Sequence, residues 1–161
     1  PYILTVSRFE DFKGHLRLLN FIKRNRLFTG EINFIFVGDG KNYKSCINYL
    51  KKEKIKNVFL IGSHPRENLF QIYKNSLGIF IPSYEEAFGV QIIEAQTFKK
   101  PILVFEPSLI INKNVNLIDE FSLNYNFQNL MKLLNWKNIE EKNNYIFSPQ
   151  ETLNSLDNVL L

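Results

Sequence analysis

Apolar residues in this chain fall into five short runs that alternate with segments of helical period. Each run is nearly continuous, as a strand covered on both faces requires. The runs predict strands at Tyr2–Val6, Ile32–Val37, Val58–Ile61, Leu77–Ile81 and Ile102–Phe105. Between them, apolar residues spaced three and four positions apart predict helices. The helical stripes are Leu18, Leu19 and Ile22; Tyr43, Cys46, Ile47 and Leu50; Leu69, Ile72 and Tyr73; and Val90, Ile93 and Phe98.

Strands and helices that alternate through short loops predict an α/β fold, a Rossmann-like parallel sheet with helices on both faces. Ligands of such sheets bind beyond the carboxyl ends of the strands, so we expect functional residues directly after the strands. Beyond Phe105 the pattern weakens. There we expect one short strand at Phe121–Leu123, within the polar stretch Asn112–Asn126, and helices near Asn126–Leu134 and Pro149–Leu160.

Length and composition fit one domain over residues 1–161, because 161 residues with 45% apolar content can build a single core. The chain starts on a strand and without Met, so we expect an N-terminal partner domain outside it. The single cysteine, Cys46, excludes an intramolecular disulfide and fits a reducing compartment. Its place in a helical stripe predicts a core residue.

The formal charge of +4 suits an anionic ligand or a membrane surface without selecting either. Four lysines gather at the end of the second predicted helix, where cations favour the negative end of the helix dipole. We expect them to form a solvated face: Lys51, Lys52, Lys54 and Lys56.

Two cations follow the first predicted strand, Arg8 and Lys13, close to the start of a helix. Free N–H groups at a helix N-terminus attract anions, so the pair suits a diphosphate. Two solvated loop charges are the alternative. After the second strand, Gly38-Asp39-Gly40 allows a close turn, and Asp39 is expected to be a turn or N-cap residue.

Gly62 and Ser63 follow the third strand, where they could border a nucleotide base. The two histidines, His15 and His64, have no carboxylate or cysteine nearby in a metal-ligand spacing. We therefore expect both to be surface or capping residues.

Two carboxylates, Glu86 and Glu94, bracket the N-terminus of the helix expected to begin near Gly89. At 100° per residue, Glu94 falls in the middle of an apolar face formed by residues that include Val90 and Ile93. A carboxylate on a buried face needs a partner. That partner is a ligand hydroxyl group or, alternatively, a backbone N–H group or a lysine.

In these residues the sequence resembles the retaining glycosyltransferases of group 1, also called family 4, whose GT-B fold has twin Rossmann-like domains. The resemblance covers roughly the first 105 residues. Its elements are Ile3–Arg8 with Lys13-Gly14, Phe36–Gly40, Val58–Gly62, Pro82-Ser83 followed by the E-x7-E pair Glu86 and Glu94, and Pro101–Leu103.

The resemblance implies the C-terminal, nucleotide-sugar-binding half of such an enzyme. Arg8 and Lys13 would hold the donor diphosphate and stabilise charge on the leaving group, while Glu94 takes the ribose hydroxyls. The carboxylate of Glu86 would contact the transferred sugar, and Phe88, Gly89 and Val90 would present their backbone N–H groups to it.

The resemblance also implies partners and a cellular setting. The donor would be a UDP-sugar or GDP-sugar, the acceptor a glycan or lipid-linked glycan, and the reaction a hexosyl transfer in polysaccharide biosynthesis. No cofactor, metal ion or nucleic acid is expected, and the sequence has no Asp-x-Asp pair. The setting would be the cytoplasm, with peripheral association of the full-length protein at the inner face of the cell membrane.

Two positions and one loop depart from the family pattern. Ser7 and Lys99 stand where glycines are usual, and Glu106–Asn116 lacks the Gly-Gly and Pro-Glu loop. The altered loop leaves a non-catalytic binding or scaffolding domain open as an alternative function. A nucleotide-sugar epimerase of the same twin-domain fold is a second alternative. Without a partner domain, we expect the isolated chain to be inactive in transfer.

Overall fold

The sheet is the centre of the fold in the computed structural model, which describes residues 2–25, 32–84, 90–106, 115–119 and 132. In this part of the chain, six strands pair in parallel in the order β3-β2-β1-β4-β5-β6. The predicted α/β, Rossmann-like fold class is confirmed. Expected elements at residues 121–134 and 149–160 lie outside the described residues, apart from Lys132.

Five strands lie where the apolar runs predicted them, within one residue at each end. They are β1 (Tyr2–Val6), β2 (Asn33–Val37), β3 (Val58–Gly62), β4 (Gly78–Ile81) and β5 (Ile102–Glu106). Successive side chains point to opposite faces of the sheet and enter two different cores. In β2, for example, Phe34 and Phe36 belong to one core and Ile35 and Val37 to the other.

Helices cover both faces. They are α1 (His15–Arg24), α2 (Tyr43–Glu53), α3 (Arg66–Asn75) and α4 (Val90–Thr97), preceded by a 3-10 turn at Asp11–Lys13. The helices α1 and α2 pack on one face, and α3 and α4 pack on the other. No helix in the described part of the chain has the length and apolar character needed to cross a bilayer.

A sixth strand, β6 (Val115–Asp119), lies within the stretch that the sequence predicted to be polar and irregular. It pairs with β5 from Ile102 opposite Val115 onwards. Among the described strands it lies at the edge of the sheet, so it needs fewer apolar residues than a central strand. Ile118 is buried, and the Asn116 amide donates to the Ile102 carbonyl, which explains a strand without an apolar run.

The apolar face predicted for α4 is wrong. Val90 is 54% exposed and Ile93 is 53% exposed, whereas Ala95 is fully buried. The helix approaches the sheet through Ala95, with Ile92 and Phe98 packed beside it. A small residue permits the closest approach of the helix to the sheet, so the large side chains of Val90 and Ile93 did not mark the buried face.

Two smaller expectations hold. Cys46 is fully buried, and burial raises the pKa of its thiol to about 11, as expected for an inert core residue. The four lysines at the end of α2 are all exposed: Lys51, Lys52, Lys54 and Lys56.

Candidate functional site

The strand order places β1 beside β4, and their following connections lead to opposite halves of the sheet. This reversal is the place where doubly wound sheets form a crevice for ligands. Gly14, just before α1, adopts φ 71° and packs against the end of β4. A Cβ atom there would lie 2.1 Å from the Pro82 carbonyl oxygen, so only glycine allows this contact.

Main-chain hydrogen bonds join the loops at the carboxyl ends of the strands. The loop after β1 is bound to the loop after β2, which is bound to the end of β3, and the loop after β4 is bound to the 3-10 turn. The N–H to carbonyl pairs are Ser7–Val37, Phe9–Asp39, Asn42–Phe9, Gly38–Gly62 and Tyr84–Phe12, at 2.8 to 3.1 Å. The backbone itself therefore fixes the shape of this edge.

Arg8 and Lys13 both lie in this joined region, on either side of the start of the 3-10 turn. Arg8 is exposed, and within the described residues it has no ion-pair partner. Two acidic neighbours, Glu10 and Asp11, point to Lys41 instead, with Nζ to carboxylate distances of 3.7 and 2.6 Å. The hydrogen bond from Lys41 lowers the pKa of the exposed Asp11 carboxyl. Both carboxylates thus share Lys41, whose single positive charge offsets one of their two negative charges.

His15 is not a surface residue, contrary to the prediction. It is 2% exposed, and its ring stacks on Phe9 with centroids 3.9 Å apart. Nε2 lies 3.2 Å from Ser7 Oγ, and Nδ1 has no hydrogen-bond partner among the described residues. Burial, helped by the charge of Lys13, lowers the pKa of His15 to about 4. The position at the start of α1 turns the ring inward, a direction that spacing alone does not reveal.

Asp39 and Ser63 lie in the neighbouring loops, and Gly62 is the last residue of β3. Asp39 is a turn residue, since its Oδ1 accepts the Gly40 N–H at 2.7 Å. Gly62 ends β3 with φ 76°, and Ser63 is exposed beside it. His64 is half-buried, and its Nε2 is enclosed without a partner in the described part of the chain.

Glu94 lies in α4 at the border of the buried face rather than in its middle. The Tyr73 hydroxyl donates to Glu94 Oε2 at 2.6 Å. The partner that this carboxylate required is therefore a tyrosine on α3, which is distant along the chain but adjacent in space. Neither the backbone N–H group nor the lysine considered from the sequence fills this role among the described residues.

Two polar residues at this edge were missed. The Gln91 amide donates to the Val6 carbonyl at 3.1 Å and so ties the first turn of α4 to the end of β1. The Arg17 guanidinium is buried between the rings of Tyr84 and Phe105, at 4.7 and 4.5 Å from their centroids. Neither residue belongs to a motif, so only the fold reveals these contacts.

Of the remaining predicted site residues, one is described by the structure and three are not. Val90 is the exposed first residue of α4. Glu86, Phe88 and Gly89 lie outside the described residues, so their predicted roles stay predictions.

The chain matches a known protein family and two relatives of known sequence. The profile described as "Glycosyl transferases group 1" matches residues 1–118. An uncharacterised glycosyltransferase of Methanocaldococcus jannaschii is 28% identical over 100 residues, covering 62% of this chain and 27% of the relative. The 2-deoxystreptamine N-acetyl-D-glucosaminyltransferase of Niallia circulans is 26% identical over 102 residues, covering 63% and 26%. The chain thus spans about a quarter of these relatives.

The fold is also found among solved structures. A mutant of S. aureus TarM, in complex with fondaparinux, alpha-GlcNAc-glycerol and UDP, superposes with a TM-score of 0.66 at 21% identity. The match covers 98% of this chain and 35% of that one. The chain belongs to the group 1 glycosyltransferases.

Proposed function

We propose that this group 1 glycosyltransferase chain binds a nucleoside diphosphate sugar at the carboxyl edge of its sheet. The proposal rests on two segments that meet at the ends of β1 and β4. One is the loop that carries Arg8 and Lys13, and the other is the first two turns of α4. Gly14 contacts Pro82, and Gln91 reaches Val6. Candidate ligands for phosphate and for ribose therefore belong to one edge.

The diphosphate would interact with Arg8 and Lys13. Glu10 and Asp11 both pair with Lys41, and the exposed Arg8 guanidinium has no ion-pair partner among the described residues. A guanidinium group suits phosphate oxygens through two parallel hydrogen bonds. In the reaction, both cations would stabilise the charge that develops on the leaving diphosphate without a metal ion.

The other parts of the donor would contact the neighbouring loops. Glu94 would accept hydrogen bonds from the ribose hydroxyls, and Gly62 and Ser63 would border the base. The transferred sugar would meet Glu86 and the backbone N–H groups at the start of α4, where the positive end of the helix dipole favours oxygen ligands.

For the whole protein, we propose transfer of a hexose, with retained configuration, to a glycan or lipid-linked glycan in polysaccharide biosynthesis. A domain outside this chain would bind the acceptor, which agrees with the quarter of the relatives' length that the chain spans. The setting would be the cytoplasm and the inner face of the membrane. An N-acetylglucosaminyltransferase among the relatives and the UDP bound to the S. aureus protein support a nucleotide-sugar donor.

Calorimetric titration of the chain with uridine and guanosine diphosphate tests the donor site. We expect one of them to bind, and Arg8→Ala and Lys13→Ala each to weaken its affinity by about ten-fold, as for the loss of a charge-assisted hydrogen bond.

The matched control removes positive charge from the far end of α2, where Lys51 and Lys52 are exposed. Lys51→Ala and Lys52→Ala should leave the affinity unchanged. Equal losses in all four variants would indicate general attraction by charge, and no binding of either nucleotide to the folded chain would refute the donor site.

A further inference from the structure

Tyr73 is buried in α3 beneath α4, with 1% of its surface exposed. Its ring stacks on Phe98 of the segment after α4, with centroids 5.5 Å apart and an angle of 14° between the planes. The same side chain donates its hydroxyl to Glu94 Oε2 at 2.6 Å. Tyr73 thus contacts the α4 region both through its ring and through its hydroxyl group.

The hydrogen bond has a fixed direction. Burial, followed by the hydrogen bond to Glu94, raises the pKa of Tyr73 far above its usual range, so the hydroxyl stays protonated and donates. A carboxylate has two oxygens and about four acceptor positions. One donor on Oε2 leaves Oε1 to accept, and Glu94 is only half-buried, so a ligand can reach it.

We propose that Tyr73 is a positioning residue that orients the Glu94 carboxylate toward the ribose diol of the donor. This inference rests on the proposed function, because it takes Glu94 as the ribose ligand. A free glutamate side chain samples many rotamers and loses this freedom when it binds. The hydroxyl of Tyr73 holds one oxygen before the nucleotide arrives, so less freedom is lost on binding.

A purely structural role for Tyr73 would have a different consequence. The ring packs in the core on this face of the sheet, and the hydroxyl would then only satisfy a half-buried carboxylate. In that case removal of the hydroxyl would lower stability, but it would not change which nucleotides bind. Dependence on the ribose hydroxyls therefore separates the two roles.

The chain contains a matched control in Tyr2. Its hydroxyl is also buried and donates at 2.6 Å to the carbonyl of Ile72, the residue next to Tyr73. Tyr2→Phe removes a hydrogen bond of the same length from the same core without touching Glu94. Both phenylalanine variants keep the ring, so each should fold, which urea unfolding checks.

The experiment measures the affinity of three ligands for Tyr73→Phe, Tyr2→Phe, Glu94→Gln and the unaltered chain. The first ligand is the nucleoside diphosphate that binds. The second is the matching dideoxynucleoside diphosphate, which keeps the base but lacks the two ribose hydroxyls, and the third is inorganic pyrophosphate. Tyr73→Phe should weaken the first by about 3- to 10-fold and leave the other two within about two-fold. Tyr2→Phe should leave all three unchanged.

The outcomes separate failure of this inference from failure of the proposed function. If no nucleoside diphosphate binds the unaltered chain, the proposed function falls. If one binds but its dideoxy counterpart binds equally well, or Glu94→Gln has no effect, Glu94 is not the ribose ligand and the role of Tyr73 falls, while the donor site stands. If Glu94→Gln abolishes the preference but Tyr73→Phe keeps it, only the role of Tyr73 is refuted. In the Glu94→Gln background, Tyr73→Phe should cause no further loss of affinity.

Discussion

Acid should destabilise the fold through His15. The ring is buried against Phe9, and desolvation, followed by the charge of Lys13, lowers its pKa to about 4 from the ordinary 6.5. Unfolding exposes the ring to water, so between about pH 6.5 and pH 4 the unfolded chain binds a proton that the native chain does not bind. The stability that depends on neutral His15 is therefore fully present above about pH 6.5 and is lost as the pH falls toward 4.

The size of the effect follows from this difference in pKa. Each pKa unit corresponds to about 1.4 kcal/mol, and between about pH 7 and pH 5 the unfolded histidine becomes almost fully protonated while the native one stays neutral. The free energy of unfolding should fall by about 2 kcal/mol over this interval from His15 alone.

Urea unfolding of the unaltered chain and of His15→Gln, at about pH 7 and pH 5, measures this contribution. Glutamine does not titrate, and titrations shared by both chains cancel in the difference. His15→Gln should be less stable at neutral pH, since it loses the stacked ring, but its deficit should shrink by about 2 kcal/mol at the acidic pH. A deficit that is the same at both pH values would refute the reasoning.

Two further predictions concern backbone conformation. Lys99 adopts φ 53°, and its N–H and that of Lys100 bond the Gln96 and Ala95 carbonyls at the end of α4. Lys99→Gly should raise the free energy of unfolding by about 0.5–1 kcal/mol because it relieves the left-handed conformation, whereas Lys99→Ala, which retains the conformation, should give no gain. Gly14 and Gly62 share φ values of 71° and 76°, but only at Gly14 would a Cβ atom meet another atom within 4 Å. Gly14→Ala should cost about 3 kcal/mol and Gly62→Ala about 1 kcal/mol in urea unfolding, and equal costs would contradict the contact with Pro82.

The central strands could be predicted from the sequence because strands covered on both faces require continuous apolar runs. The edge strand β6 could not, since Val115–Asp119 needs few apolar residues at the border of the described sheet. The positions of Arg8, Lys13 and Gly62 at the carboxyl edge of the sheet followed from the predicted strand ends. The inward turn of His15 and the bond between Tyr73 and Glu94 depend on how separate elements pack, which periodicity within one element does not encode.

The glycine expected before Pro101 in the family pattern has a physical reason in this structure. Lys99 occupies a left-handed backbone position, which glycine adopts without steric cost. The departure at Lys99 therefore lowers stability rather than changing the chemistry of the site.

The hydrogen bonds between the loops after β1, β2 and β3 use only main-chain atoms. Many residue types can supply these N–H and carbonyl groups at positions such as Ser7 and Asp39, so the main-chain bonds there do not depend on the side chain. Gly38 is an exception, because a Cβ atom there would lie 2.0 Å from the Ser7 carbonyl oxygen. A frame of this kind can preserve the geometry of the edge while the side chains change. Different side chains can therefore be presented at this edge by substitution on an unchanged scaffold.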